Sequence, residues 1–162
     1  MKWSRVALVA QVGLASYFQA IEWFPFGRWN YQPGFEPLAT QATQGHLQLT
    51  DVALVGAFAL PLLIYLLAYG KKVRWLKWVC LAGYTAWLVL QIQTWWVAYI
   101  FGASDRWAST YQRVFSESTR ILPSFGRHLA PDGMHFVLQV LLLVVVGSLV
   151  LELLHRPRQN DV

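Results

Sequence analysis

Apolar positions along the chain gather into four long runs, separated by polar stretches of unequal length. A helix that crosses the hydrocarbon core of a bilayer needs about 20 mostly apolar residues at 1.5 Å rise each. The first run, about 3–24, is interrupted by Gln11, Gln19 and Glu22 and closed by Pro25. The second, about 52–69, carries no charge and holds Pro61 as the expected kink. The third, about 76–101, is long enough to tilt or to project beyond the bilayer. The fourth covers about 134–154. The pattern predicts an all-α polytopic membrane protein: one integral membrane domain over residues 1–162, built as a four-transmembrane-helix bundle. Lys2 and Arg5 ahead of the first run also resemble the start of a secretory leader, but no small-x-small cleavage site follows cleanly, so that run reads as a span.

Two of the intervening segments are more than tethers. Between Gly102 and Gly133 the chain is longer than two neighbouring helices need, and its middle has helical periodicity. Trp107, Tyr111, Val114, Phe115, Ile121 and Leu122 fall on one stripe of an expected amphipathic interfacial helix over about 105–122. Ser104 or Asp105 would cap it and Pro123 would stop it. Arg106, Arg113 and Arg120 recur every seven residues, so they line one edge of that stripe, within reach of lipid phosphates or an anionic ligand. The other segment, Pro25 to Thr50, contains Pro33, Gly34, Pro37 and Gly45 and reads as an ordered loop with one short helix after Pro37.

Composition agrees with lipid as solvent: of 162 residues, 56% are hydrophobic and 13% charged. The net charge of +5 is not a nucleic-acid footprint, because the basic residues sit at the ends of apolar runs instead of forming one patch. Their positions instead set an orientation. Lys2 and Arg5, then Lys71, Lys72, Arg74 and Lys77, then Arg156 and Arg158 share one side if there are four spans. The positive-inside rule makes that side cytoplasmic, which predicts a multi-pass protein of the cytoplasmic membrane with both termini inside. Trp23, Trp29, Trp95, Trp96 and Trp107 then mark the outer boundary, and Trp3, Trp75 and Trp78 the inner one. Cys80 is the only cysteine, which excludes disulfide and dithiol chemistry. No glycine-rich phosphate loop, HExxH or GxSxG is present, and no cofactor is expected.

Polar side chains in lipid are costly and usually face a bundle interior or a cavity. On the first run Gln11, Ala15, Gln19 and Glu22 share one face; on the third, Tyr84, Trp87, Gln91 and Thr94; on the fourth, His135 and Gln139 stand one turn apart. Gln19, Glu22, Gln91, Thr94, His135 and Gln139 therefore fall at one depth in the outer half. The expectation is an outward-facing polar pocket that binds or passes a small ligand, a lipid headgroup or a proton. The competing reading is a network that only joins helices, at about 0.6 kcal/mol per hydrogen bond. As an enzyme acting on a lipid-phase substrate, the protein would use Glu22 and His135 as acid and base; as an accessory subunit, its polar stripes would be glue. Glu22 would pair with Arg28 or His135, or stay protonated by desolvation. His128, Asp132 and His135 form an HxxxDxxH set that zinc accepts, but Asp132 after Pro131 reads more naturally as a helix N-cap, so no metal is expected. Gly13 and Ala15, Gly56 and Ala57, and Ala82 and Ala86 suit close helix approach, within one chain, between copies or to another membrane subunit. The inner half, by contrast, reads as basic anchors and apolar packing.

Overall fold

Ala7, Gln11, Leu14, Phe18 and Ile21 follow steps of four and three, and they form the buried face of the first helix, α1 (Lys2–Trp23). In the computed structural model, residues 2–30, 32–33, 36–69, 71 and 73–155 are described, so Gly34, Lys72, Arg156 and Arg158 of the reading above lie outside the described residues. After a 3-10 turn, Gly27–Trp29, come α2 (Leu38–Gln44), α3 (Leu49–Ala57), α4 (Leu60–Ala68) and α5 (Arg74–Gln91). α5 runs through a π-helical segment, Ile92–Trp96, into α6 (Val97–Phe101); α7 (Asp105–Val114) and α8 (Gly133–Leu154) complete the chain. No strand occurs among the described residues, only the isolated bridges Arg120–Asp132 and Phe125–His128.

Two helices are long and apolar enough to cross a membrane: Arg74–Phe101, with 28 residues and mean hydropathy 1.2, and Gly133–Leu154, with 22 residues and 2.6. The pair α3 and α4 makes a third if it is one span; it bends by 43° around Phe58 and Ala59, just ahead of Pro61, whose missing N–H and ring geometry break the ladder there. α1 has the same 22 residues as α8, but Gln11, Gln19 and Glu22 keep it below that apolar level.

α8 packs against α1 on one side and α5 on the other, while α4 packs against both α5 and α1. Met134, Leu138, Leu142, Val145 and Leu149 of α8 meet Leu14, Phe18 and Ile21 of α1, Tyr65 of α4 and Tyr84 and Leu88 of α5 in one core. The faces turned away are equally apolar: Val9, Leu63, Leu67, Leu90, Leu143 and Val144 are all exposed, the surface expected of helices solvated by acyl chains. Between such helices the cohesion comes from packing and internal hydrogen bonds, since lipid is as apolar as leucine.

A second, smaller core sits at one end. Trp95, Ala98, Ala103, Tyr111, Phe115 and Leu129 are buried together, with Trp107 and Val114 against them, so α7 covers the end of α5–α6. The expected N-cap is present: Ser104 Oγ accepts the Trp107 N–H at 3.2 Å. The helix is shorter than the periodicity implies, ending at Val114 and not Leu122. Phe115 leaves helical geometry at φ −117°, and the run Ser116, Glu117, Ser118, Thr119 offers its own hydrogen bonds, such as Ser118 Oγ to Phe115 O at 2.8 Å. Ile121 consequently leaves the stripe and is exposed.

Candidate functional site

Asp132 caps α8 as its position after Pro131 suggests, with Oδ1 accepting the His135 N–H at 2.8 Å. The same oxygen lies 2.9 Å from His135 Nδ1, so one carboxylate both starts the helix and orients the imidazole one turn along. Asp132 is 1% exposed, and its Oδ2 is buried with no hydrogen-bond partner among the described residues. A buried acceptor left open is costly, so this oxygen has capacity for a further donor. His135 Nε2 has no partner among the described residues either, and 17% of the side chain remains accessible.

Aromatic rings wall this pair. Trp95 stacks on His135 at 4.4 Å between ring centroids, and Phe115 meets it edge-on at 5.6 Å. The π-helical segment that carries Trp95 also turns Trp96 toward α8, and such segments recur where a helix re-aims side chains at a site. Tyr17 donates to Met134 O at 3.1 Å and receives the Trp29 Nε1–H at 3.2 Å. Trp29 lies so close to the start of α8 that a Cβ on Gly133 would stand 2.7 Å from its ring. Tyr111, pushed above its ordinary pKa by burial, keeps its proton and donates to Ala130 O at 2.8 Å, two residues ahead of Asp132.

The residues expected to share a pocket separate into groups. Gln19 donates to Val55 O at 2.9 Å and accepts from Trp23 Nε1. Gln139 accepts from Trp96 Nε1 at 2.7 Å and donates weakly to Gln91 Oε1 at 3.4 Å. These three amides are engaged in joining helices. Glu22 forms no ion pair or hydrogen bond among the described residues, and it lies within electrostatic reach of His135. Thr94 stands apart on the π-helical segment, where with Gln93, Val97, Ser104 and Trp107 it lines a cleft of about 480 Å³. The seven-residue arginine edge breaks with α7: Arg106 and Arg113 are exposed on the helix, whereas Arg120 lies beyond its end, its guanidinium 5.3 Å from the Tyr111 ring centroid.

The HxxxDxxH set does not converge. His128 sits in the Phe125–His128 turn with Nδ1 2.9 Å from Tyr99 O, and His46 pairs with Glu36 at 2.7 Å in the other loop. No group of three His, Cys, Asp or Glu side chains suited to a metal occurs among the described residues.

The far end of α8 holds a constellation that the sequence reading passes over. Glu152 Oε1 receives Lys77 Nζ at 2.5 Å, and Oε2 receives the Tyr65 hydroxyl at 2.7 Å. The Lys77 and Glu152 side chains are 14% and 6% exposed, so the pair is largely withdrawn from solvent. A signal was available. Glu152 is the one acidic residue in a run of apolar ones, and a carboxylate there requires a cation from a neighbouring helix.

Comparison with protein-family models, curated proteins and solved structures finds no match for this chain.

Proposed function

We propose that the chain is a four-span integral membrane protein, both termini cytoplasmic, whose outer half binds or passes a small ligand, a lipid headgroup or a proton. The contacts linking α1, α8, α5 and α4 in a ring support the four-span reading, and α1 is tolerable as a span because its polar face is turned inward. Basic residues at the expected inner ends support the orientation, and tryptophans at both expected boundaries support the spans.

The observation that carries the functional reading is the Asp132–His135 pair: a buried carboxylate with one unpartnered oxygen, holding an imidazole whose Nε2 is free. Glu22 on α1 adds a carboxyl group within electrostatic reach of the imidazole. Protein reconstituted into vesicles with an internal pH dye, under an imposed pH gradient, tests it. Wild type is expected to dissipate the gradient faster than empty vesicles, and His135→Ala and Glu22→Gln to remove that excess while folding normally. Should wild type match empty vesicles, and should its thermal stability also ignore a panel of lipids and small acids, the reading fails.

One observation favours an enzymatic alternative. A carboxylate on Nδ1 with Nε2 open is the arrangement of a general base. Turnover of a lipid-phase substrate that His135→Ala abolishes, without any vesicle flux, selects it.

A further inference from the structure

The outer loops build a second polar feature away from the imidazole. Arg28, Ser116, Ser118, Thr119 and Arg120 line a cleft of about 400 Å³. Its two cations come from segments far apart in sequence, and the fold holds both in place. Arg28 belongs to the 3-10 turn after α1, which Asn30 pins from below: its Nδ2 donates to Ile21 O at 2.7 Å and Phe24 O at 2.8 Å, and its Oδ1 accepts the Phe26 N–H at 2.8 Å. Arg28 O in turn accepts the Thr119 N–H at 2.8 Å, which clamps the two loops together. Each guanidinium is then anchored by a single backbone carbonyl, Arg28 Nε on Glu117 O and Arg120 Nη2 on Ser116 O, both at 3.1 Å. Arg120 also lies over the Tyr111 ring.

Among the described residues neither guanidinium meets a carboxylate, whereas Arg127, in the same segment between α7 and α8 as Arg120, is matched by Asp105. Two guanidiniums lining one cleft with no ion-pair partner among the described residues raise the positive potential there, which favours an anion between them. The remaining N–H groups suit tetrahedral oxygens, and the hydroxyls of Ser116 and Thr119 add donors around them.

We infer that the cleft between Arg28 and Arg120 is a binding site for a phosphoryl group, carried by a phospholipid headgroup or by a soluble phosphate ester. This deepens the binding reading by naming its ligand class, and rests on that reading only for the side of the membrane the cleft faces.

The test uses the full chain in a neutral detergent, titrated with inorganic phosphate, with glycerol phosphate, and with mixed micelles containing phosphatidylglycerol or, as a control of lower headgroup charge, phosphatidylcholine. Arg28→Gln and Arg120→Gln are each expected to weaken binding about tenfold or more, and the double variant to abolish it. Arg28→Lys and Arg120→Lys, which keep the charge and lose the fork, should fall between, and they serve if a glutamine variant fails to fold. Arg113→Gln, on α7 and outside the cleft lining, should bind as wild type does. Binding of all phosphates assigns a site for soluble esters; binding of phosphatidylglycerol micelles alone assigns a lipid headgroup. Wild-type binding to none of them, or an equal loss in Arg113→Gln, overturns the assignment. Since this readout is phosphate affinity and the vesicle assay reads His135, either proposal can fail alone.

Discussion

Asp132 and Glu152 are buried carboxylates at opposite ends of α8, and their surroundings differ in kind. Glu152 is fully answered, with Lys77 on one oxygen and Tyr65 on the other. Asp132 has one oxygen shared by the backbone and ring of His135 and the other with no partner among the described residues. A complete ion pair in a membrane interior fixes helix register and leaves nothing over for a ligand. An incomplete one keeps polar capacity in reserve. One end of α8 is thus closed by a completed ion pair, and the other holds an acceptor left open.

The largest expected effect breaks the complete end. Lys77→Met leaves Glu152 buried without its cation, which should cost about 3–5 kcal/mol in denaturant unfolding from micelles. Adding Glu152→Leu should restore most of that loss; if the double variant is as unstable as the single, the pair is not what holds α5 to α8. Next comes Gly133→Ala, which drives a methyl into the Trp29 ring and should cost about 1–3 kcal/mol, relieved when Trp29 is also shortened to Leu. The direct contrast is between amides. Glu152→Gln is expected to lose about 2 kcal/mol, since Lys77 is then stranded, while Asp132→Asn should stay within about 1 kcal/mol because Asn caps a helix as well as Asp does. Equal losses would erase the distinction between the two ends. The smallest effect belongs to Gln91→Leu, about 0.6 kcal/mol, for one long hydrogen bond to Gln139.

Features that depend on neighbours in the chain were legible in the sequence. The caps at Ser104 and Asp132, the break ahead of Pro61, the short helix after Pro37 and the ends of the long helices to within a few residues all follow from local rules. What escaped depends on partners far apart. Lys77 and Glu152 are separated by 75 positions, and Lys77 lies among basic residues that are the ordinary signature of an inner membrane boundary. Asn30 escaped because a side chain that closes α1 from beyond a turn leaves no periodic trace. Apolar periodicity overran α7, since Ile121 and Leu122 continue its register while the intervening hydroxyl residues end the helix. Within the candidate site, the nearness of Gln91 to Gln139 and of Glu22 to His135 could be expected from their places along the helices. Which of them would be used up on one another could not, because that depends on rotation of each helix about its axis.

Thr119 joins the two loops more tightly than its exposed position suggests. Its N–H is held by Arg28 O at 2.8 Å and its carbonyl by Gly133 N at 2.6 Å, so a single peptide unit on each side rivets the turn after α1 to the first residue of α8. This end of the molecule is in this respect a truss and not a set of independent loops: a load applied at Arg28 is delivered, through two hydrogen bonds in series, to the residue beside Asp132.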